Sequence, residues 1–134
     1  MAKKNKLYID TSIWNFALES ERYDFLITLD FLSNLKNDNQ FCISTLVSAE
    51  IDKALPERKN KLLDLVKKYN YLVFQVTDEA VNLANIYVSD GLINKKSLND
   101  ALHIAIATIN HCEYIVSWNF KHIVNLETIK AIHH

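Results

Sequence analysis

One glycine, Gly91, and one proline, Pro56, occur in 134 residues. That scarcity excludes the GxGxxG fingerprint and the P-loop, which need several glycines to bring backbone amides against a phosphate. No HExxH zinc motif surrounds His103, His111, His122, His133 or His134, and no serine or cysteine has a nucleophile-elbow context. His103 and His122 read as packing or surface histidines rather than zinc ligands; His133 and His134 are native residues or the remnant of a tag. The two cysteines, Cys42 and Cys112, lack a CxxC spacing and stand beside strand-like apolar residues, where a thiol behaves as a small buried hydrophobe. No disulfide is expected. Long apolar runs are missing too. Residues 101–109, the longest nearly apolar stretch, reach about half of the roughly 20 residues that span a bilayer, and the basic start leads only into Leu7-Tyr8-Ile9, far short of a secretory segment. A cytoplasmic protein without membrane contact is expected. The formal net charge of -1 provides no global attraction to nucleic acid, so a nucleic-acid role requires local basic patches or a metal.

Against these absences, 49% of residues are hydrophobic, enough for a core, and the length suits one domain over 1–134 with no repeat or linker. Apolar runs at residues 7–9, 41–43, 71–76 and 113–117 read as strands, and a short edge strand is expected over 126–132. Helical spacing lies between them. Thr11 or Ser12 can cap a helix through Trp14, Phe16 and Leu18, and a second helix is expected over 23–36. Others start at Thr45, after Pro56, at Thr77-Asp78-Glu79 and at Ser97, with Asp90-Gly91 ending the fifth of these six. Strands alternating with helices imply an α/β fold with a parallel sheet.

Three acids stand where such a fold places chemistry, beyond strand ends or at helix starts. Asp10 closes the first strand; it is either a helix cap or a carboxylate facing the crevice. Glu50 lies three residues from Val47 and four from Ala54, at the margin of the apolar stripe Val47, Ile51 and Ala54. It is either a solvated helix residue or a half-buried carboxylate. Asp100 completes a capping-box pattern, Ser97-Leu98-Asn99-Asp100, yet it also opens a helix that is apolar nearly all round and whose dipole favours an anion there. Gathered together, the three anions would raise one another's pKa values unless a cation neutralised them. Hard oxygen donors suit Mg2+, with Mn2+ as the alternative.

Four stretches, LYIDTSIWN, STLVSAEI, SLNDALHIAIA and YIVSWNFKHIVN, give the chain a resemblance to PIN-domain ribonucleases, in particular the compact toxins of bacterial toxin-antitoxin modules. The order and approximate spacing match over nearly the whole chain. The resemblance implies a three-layer α/β/α PIN-like fold with a central parallel sheet and Mg2+-dependent endonucleolytic cleavage of RNA. It also implies a small antitoxin partner and a homodimer, with Trp14 and the aromatic-rich second helix as candidate contributors. Asp10 and Asp100 are then the principal metal ligands, with Glu50 completing the site through water or a second ion. An activated water attacks phosphorus in line. Many members carry a fourth acid where this chain has Asn119, an amide that brings an acceptor without negative charge; the expected catalytic set is therefore Asp10, Glu50, Asp100 and Asn119. Thr11, Ser12 and Ser117 are candidates to orient water or a carboxylate, and Lys53, Lys95, Lys96 and Lys121 to touch phosphate, against a default of solvated surface charge. The alternative is a catalytically weak PIN-like module that binds RNA or protein. A phosphatase or receiver domain is disfavoured, because DTSIW lacks the DxD arrangement and residues 71–75 lack a phosphoacceptor aspartate.

Overall fold

The computed structural model describes residues 4–22 and 24–118. In chain order the elements are β1 (Asn5–Ile9), α1 (Thr11–Phe16), α2 (Phe25–Leu35), β2 (Asn39–Ser44), α3 (Thr45–Asp52), α4 (Pro56–Lys67), β3 (Tyr71–Phe74), α5 (Asp78–Ser89), a 3-10 turn (Lys95–Ser97), α6 (Leu98–Ile109) and β4 (Tyr114–Val116). Among the described residues the sheet has four strands in the order β3-β2-β1-β4, all pairings parallel. Tyr8 pairs with Cys42 on one side and Ile115 on the other, which fixes the register of the two central strands. The segment 126–132, expected as an edge strand, and Asn119, Lys121 and His122 lie outside the described residues.

Local chemistry explains where the helices begin and stop. Ser44 caps α3 by accepting from Val47 N, Thr77 caps α5 by accepting from Ala80 N, and Pro56 occupies the first turn of α4, where its missing N–H costs nothing. Gly91 follows α5 at φ +75, a left-handed conformation that glycine adopts without steric penalty. Three expectations need correction. The cap of α1 is Asp10 rather than Thr11 or Ser12, and α1 ends at Phe16; the third strand stops at Phe74 rather than continuing to residue 76.

The strand order dictates the layers. β1, β2 and β3 step in one direction, and β4 returns to the far side of β1. Right-handed crossovers then put the early helices on one face and α5 and α6 on the other, consistent with α1 packing on α3 and α4, and α5 on α6. Covered on both faces, β1 and β2 are buried through Leu7, Tyr8 and Ile9 and through Phe41, Cys42 and Ile43. Cys42 and Cys112 are both buried, as expected of small apolar side chains. Trp14 is fully buried and packs against Tyr69 with ring centroids 5.7 Å apart. It is a core residue, not an exposed contributor to a dimer; truncation to alanine would cost about 3–5 kcal/mol. Among the described residues no helix is long and apolar enough to cross a membrane.

Candidate active site

Strand β1 has β2 on one side and β4, reached from the opposite direction, on the other. This reversal of strand order opens a crevice at the carboxyl ends of β1 and β4, the place where ligands bind in open α/β sheets. Asp10 leaves β1 there, and Ser117 leaves β4. Asp10 is 2% exposed. Its Oδ1 accepts from Ser12 N at 2.9 Å and from Ser12 Oγ at 2.6 Å, and its Oδ2 accepts from Ser117 Oγ at 2.7 Å. Of the two readings of Asp10, the helix cap is the one realised in the described contacts, because its Oδ1 accepts from Ser12 N at the start of α1. Trp118 N donates to Ser12 Oγ at 2.9 Å, tying the end of β4 to the same corner.

Glu50 reaches this corner from α3. Val47 and Ile51 bury the inner side of that helix, leaving Glu50 half-buried at its margin. Its Oε1 accepts from Thr11 Oγ1 at 3.1 Å and lies 2.7 Å from His103 Nε2. Burial alone would raise the Glu50 pKa. The His103 hydrogen bond and charge, the Thr11 hydroxyl and Lys53 outweigh burial and hold it below the ordinary value.

Asp100 enters from the first turn of α6. The capping-box alternative is not realised: Ser97 makes no side-chain cap bond, because a 3-10 turn through Lys95–Ser97 leads straight into the helix. Asp100 therefore has no capping partner in Ser97, and its carboxylate makes no hydrogen bond among the described residues. Burial raises its pKa first, the Asp10 charge adds to this, His103 opposes and Glu50 contributes further. Asp100 thus lies within electrostatic reach of both Asp10 and Glu50. Asn119 lies outside the described residues, Lys53, Lys95 and Lys96 are exposed, and Lys121 is not described.

Sequence reasoning set His103 aside as a packing or surface histidine and passed over Tyr8 and Ser44. His103 is 2% exposed; its Nδ1 lies 2.6 Å from Tyr8 Oη, which lies 2.7 Å from Ser44 Oγ. The available signal was spacing. His103 follows Asp100 by three residues, which places both on one face of α6.

Among the described residues no three His, Cys, Asp or Glu side chains converge as a ready-made metal cage. A small octahedral cation does not require one, since Mg2+ typically takes one or two carboxylates and retains several waters. The donor set is all hard oxygen. Asp100, its proton affinity raised first by burial and then by the Asp10 and Glu50 charges, is a site where positive charge is wanted. The residues fit a divalent cation on these grounds.

Fold and crevice together define a PIN-like α/β/α protein. Among solved structures the chain is similar to VapC20 of Mycobacterium tuberculosis, described as a sarcin-ricin loop cleaving toxin, with a TM-score of 0.67, 11% identity and 94% of each chain covered. It is also similar to VapBC2 of Rickettsia felis, solved bound to a DNA fragment from its promoter, with a TM-score of 0.60 and 21% identity over 87% of this chain and 89% of that one. No family model matches the sequence, and no curated protein matches it. The resemblance to PIN-domain toxins thus holds in the fold; a shared fold leaves the activity to be argued from the site.

Proposed function

We propose that this chain is an Mg2+-dependent endoribonuclease and the toxin of a toxin-antitoxin pair. The observation that supports the reading is that Asp100 feels the charges of Asp10 and Glu50 near the carboxyl ends of the strands, on a fold similar to that of a sarcin-ricin loop cleaving toxin. Asp10 and Asp100 would hold the ion, with Mn2+ able to replace Mg2+; Glu50 would complete the site directly or through water. When bound, the ion supplies Lewis acidity toward a phosphate oxygen and makes water a better nucleophile.

The chain's own residues prepare that chemistry. Ser12 and Ser117 hold both oxygens of Asp10, so its carboxylate is oriented before any ligand arrives. Thr11 and His103 do the same for one oxygen of Glu50. With Glu50 kept ionised and Asp100 given a higher proton affinity, the site is anionic enough for a cation yet balanced by few positive charges. Lys53, Lys95 and Lys96 are candidates to meet the RNA backbone, and Asn119 to position water. A small antitoxin, homodimerisation and action in the cytoplasm belong to the same reading.

The test is cleavage of RNA by the purified chain with and without Mg2+, alongside Asp100→Asn. Activity that needs the metal and disappears in the variant is expected; metal-independent cleavage, or a fully active variant, sinks the assignment. Expression alone should arrest growth, and co-expression with an adjacent small open reading frame should restore it and give a co-purifying complex. Normal growth on expression alone argues against the toxin role. The asparagine at position 119 favours a second reading, an RNA- or protein-binding module with weak catalysis; RNA binding without turnover at saturating Mg2+ would support it.

A further inference from the structure

Glu50 is held from the core outward. Ser44 ends β2, Tyr8 lies in β1, His103 in α6 and Glu50 in α3, yet their polar atoms form one chain with spacings of 2.7, 2.6 and 2.7 Å. Ser44 and Tyr8 are fully buried and His103 is nearly so. A carboxylate can only accept, so His103 Nε2 carries a proton toward Glu50; one proton is shared between Nδ1 and Tyr8 Oη, and another between Tyr8 Oη and Ser44 Oγ. Every contact then has one donor and one acceptor, and the chain ends at the acidic pocket.

We propose that the Ser44–Tyr8–His103 chain positions Glu50 so that Oε1 is committed to the protein and Oε2 alone serves the cation site, which makes His103 a positioning residue for that site. The proposal rests on the reading of Glu50 as part of an ion-binding pocket. Both bonds to Glu50 use Oε1, from Thr11 and from His103. A glutamate side chain otherwise has many rotamers, and restricting them on folding removes that cost from ion binding. Because Asp100 and His103 share one face of α6, a single rigid helix sets Asp100 directly and Glu50 through His103. Two of the three acids thus keep their relative placement through one element.

Mn2+ affinity of the full chain, measured by calorimetry without RNA, separates this role from plain core packing. The variants are His103→Leu, His103→Gln, Tyr8→Phe and Glu50→Gln, with the first and third repeated in the Glu50→Gln background. His103→Leu should weaken Mn2+ binding about five- to twentyfold in the parent and less than about twofold once Glu50 is glutamine, since a residue acting through Glu50 has nothing left to position. His103→Gln, which keeps an N–H donor, should recover most of the affinity. Tyr8→Phe removes one oxygen and little volume, so it decides the matter if His103→Leu does not fold; it should weaken binding in the parent only. Equal losses in both backgrounds, or no loss in the parent, overturn the positioning role while leaving the cation site standing. A parent chain that binds no Mn2+ overturns both.

Discussion

Asp10 serves as a helix cap and, on the proposed reading, as a cation ligand, and asparagine can keep the first role while losing the second. Asparagine caps helices about as well as aspartate. Its Oδ1 can retain the 2.9 and 2.6 Å bonds from Ser12, and its Nδ2 can donate to Ser117 Oγ, replacing a 2.7 Å bond that now runs the other way. Converting charge-assisted bonds to neutral ones loses roughly 1 kcal/mol each. Removing a carboxylate that is 2% exposed returns part of this, through lower desolvation cost and less repulsion with Asp100. The net expectation for Asp10→Asn is a stability change within about 1–2 kcal/mol, or less than about 8 °C in Tm. Asp10→Ala removes the cap and strips an acceptor from two hydroxyls, so it should cost about 2–4 kcal/mol. Cation binding should rank the variants differently. A unit charge about 4 Å from a unit positive charge is worth up to about 4 kcal/mol at an effective dielectric near 20, and screening and desolvation reduce this to an expected ten- to hundredfold loss in Mn2+ affinity for both variants. Thermal melts, Mn2+ calorimetry and RNA cleavage at fixed Mg2+ on parent, Asn and Ala proteins test the separation. An Asp10→Asn protein that binds Mn2+ within about threefold of the parent and cleaves RNA at a comparable rate would refute Asp10 as a ligand.

Glu50 and Asp100 should shift the pH dependence of stability in opposite directions when no metal is present. The Glu50 pKa is lowered on folding, so its ionisation adds stability above the unfolded pKa, and that is lost as pH falls through the folded value; Glu50→Gln should be less stable than the parent near neutrality and similar in acid. The Asp100 pKa is raised, so its ionised form costs stability at neutral pH, and the cost disappears as pH falls from above the folded pKa through the ordinary carboxylate range. Asp100→Asn should therefore melt higher than the parent at pH 7 and lose that advantage in acid, in chemical denaturation series with chelator; a variant less stable than the parent at pH 7 would contradict this. For residue 119, Asn119→Ala should impair cleavage less than Asp10→Ala, and Asn119→Asp should tighten Mg2+ activation by up to the order of a few kcal/mol before screening. A loss in Asn119→Ala as deep as in Asp10→Ala, with no gain in Asn119→Asp, would mark it as an essential neutral ligand.

Local signals in the sequence determined most element boundaries. Pro56 could only open a helix, Thr77 capped one and Gly91 ended one, because each acts through its own backbone or the next three residues. Apolar runs bounded by such residues identified the strands, and the alternation of strand and helix implied the parallel sheet whose carboxyl edge carries Asp10. What the tertiary structure alone decided involves partners far apart in sequence. Ser97-Leu98-Asn99-Asp100 is a proper capping pattern, yet the preceding 3-10 turn leaves Asp100 without that task. Trp14, expected as a candidate at a dimer surface, is enclosed by the chain itself. His103 read as a packing or surface histidine; its link to Glu50, 53 positions away, exists only because the fold brings a side chain of α3 and one of α6 together. Periodicity reports which face of an element is buried, not what that face meets. A polar contact between distant residues is set by the order of strands in the sheet.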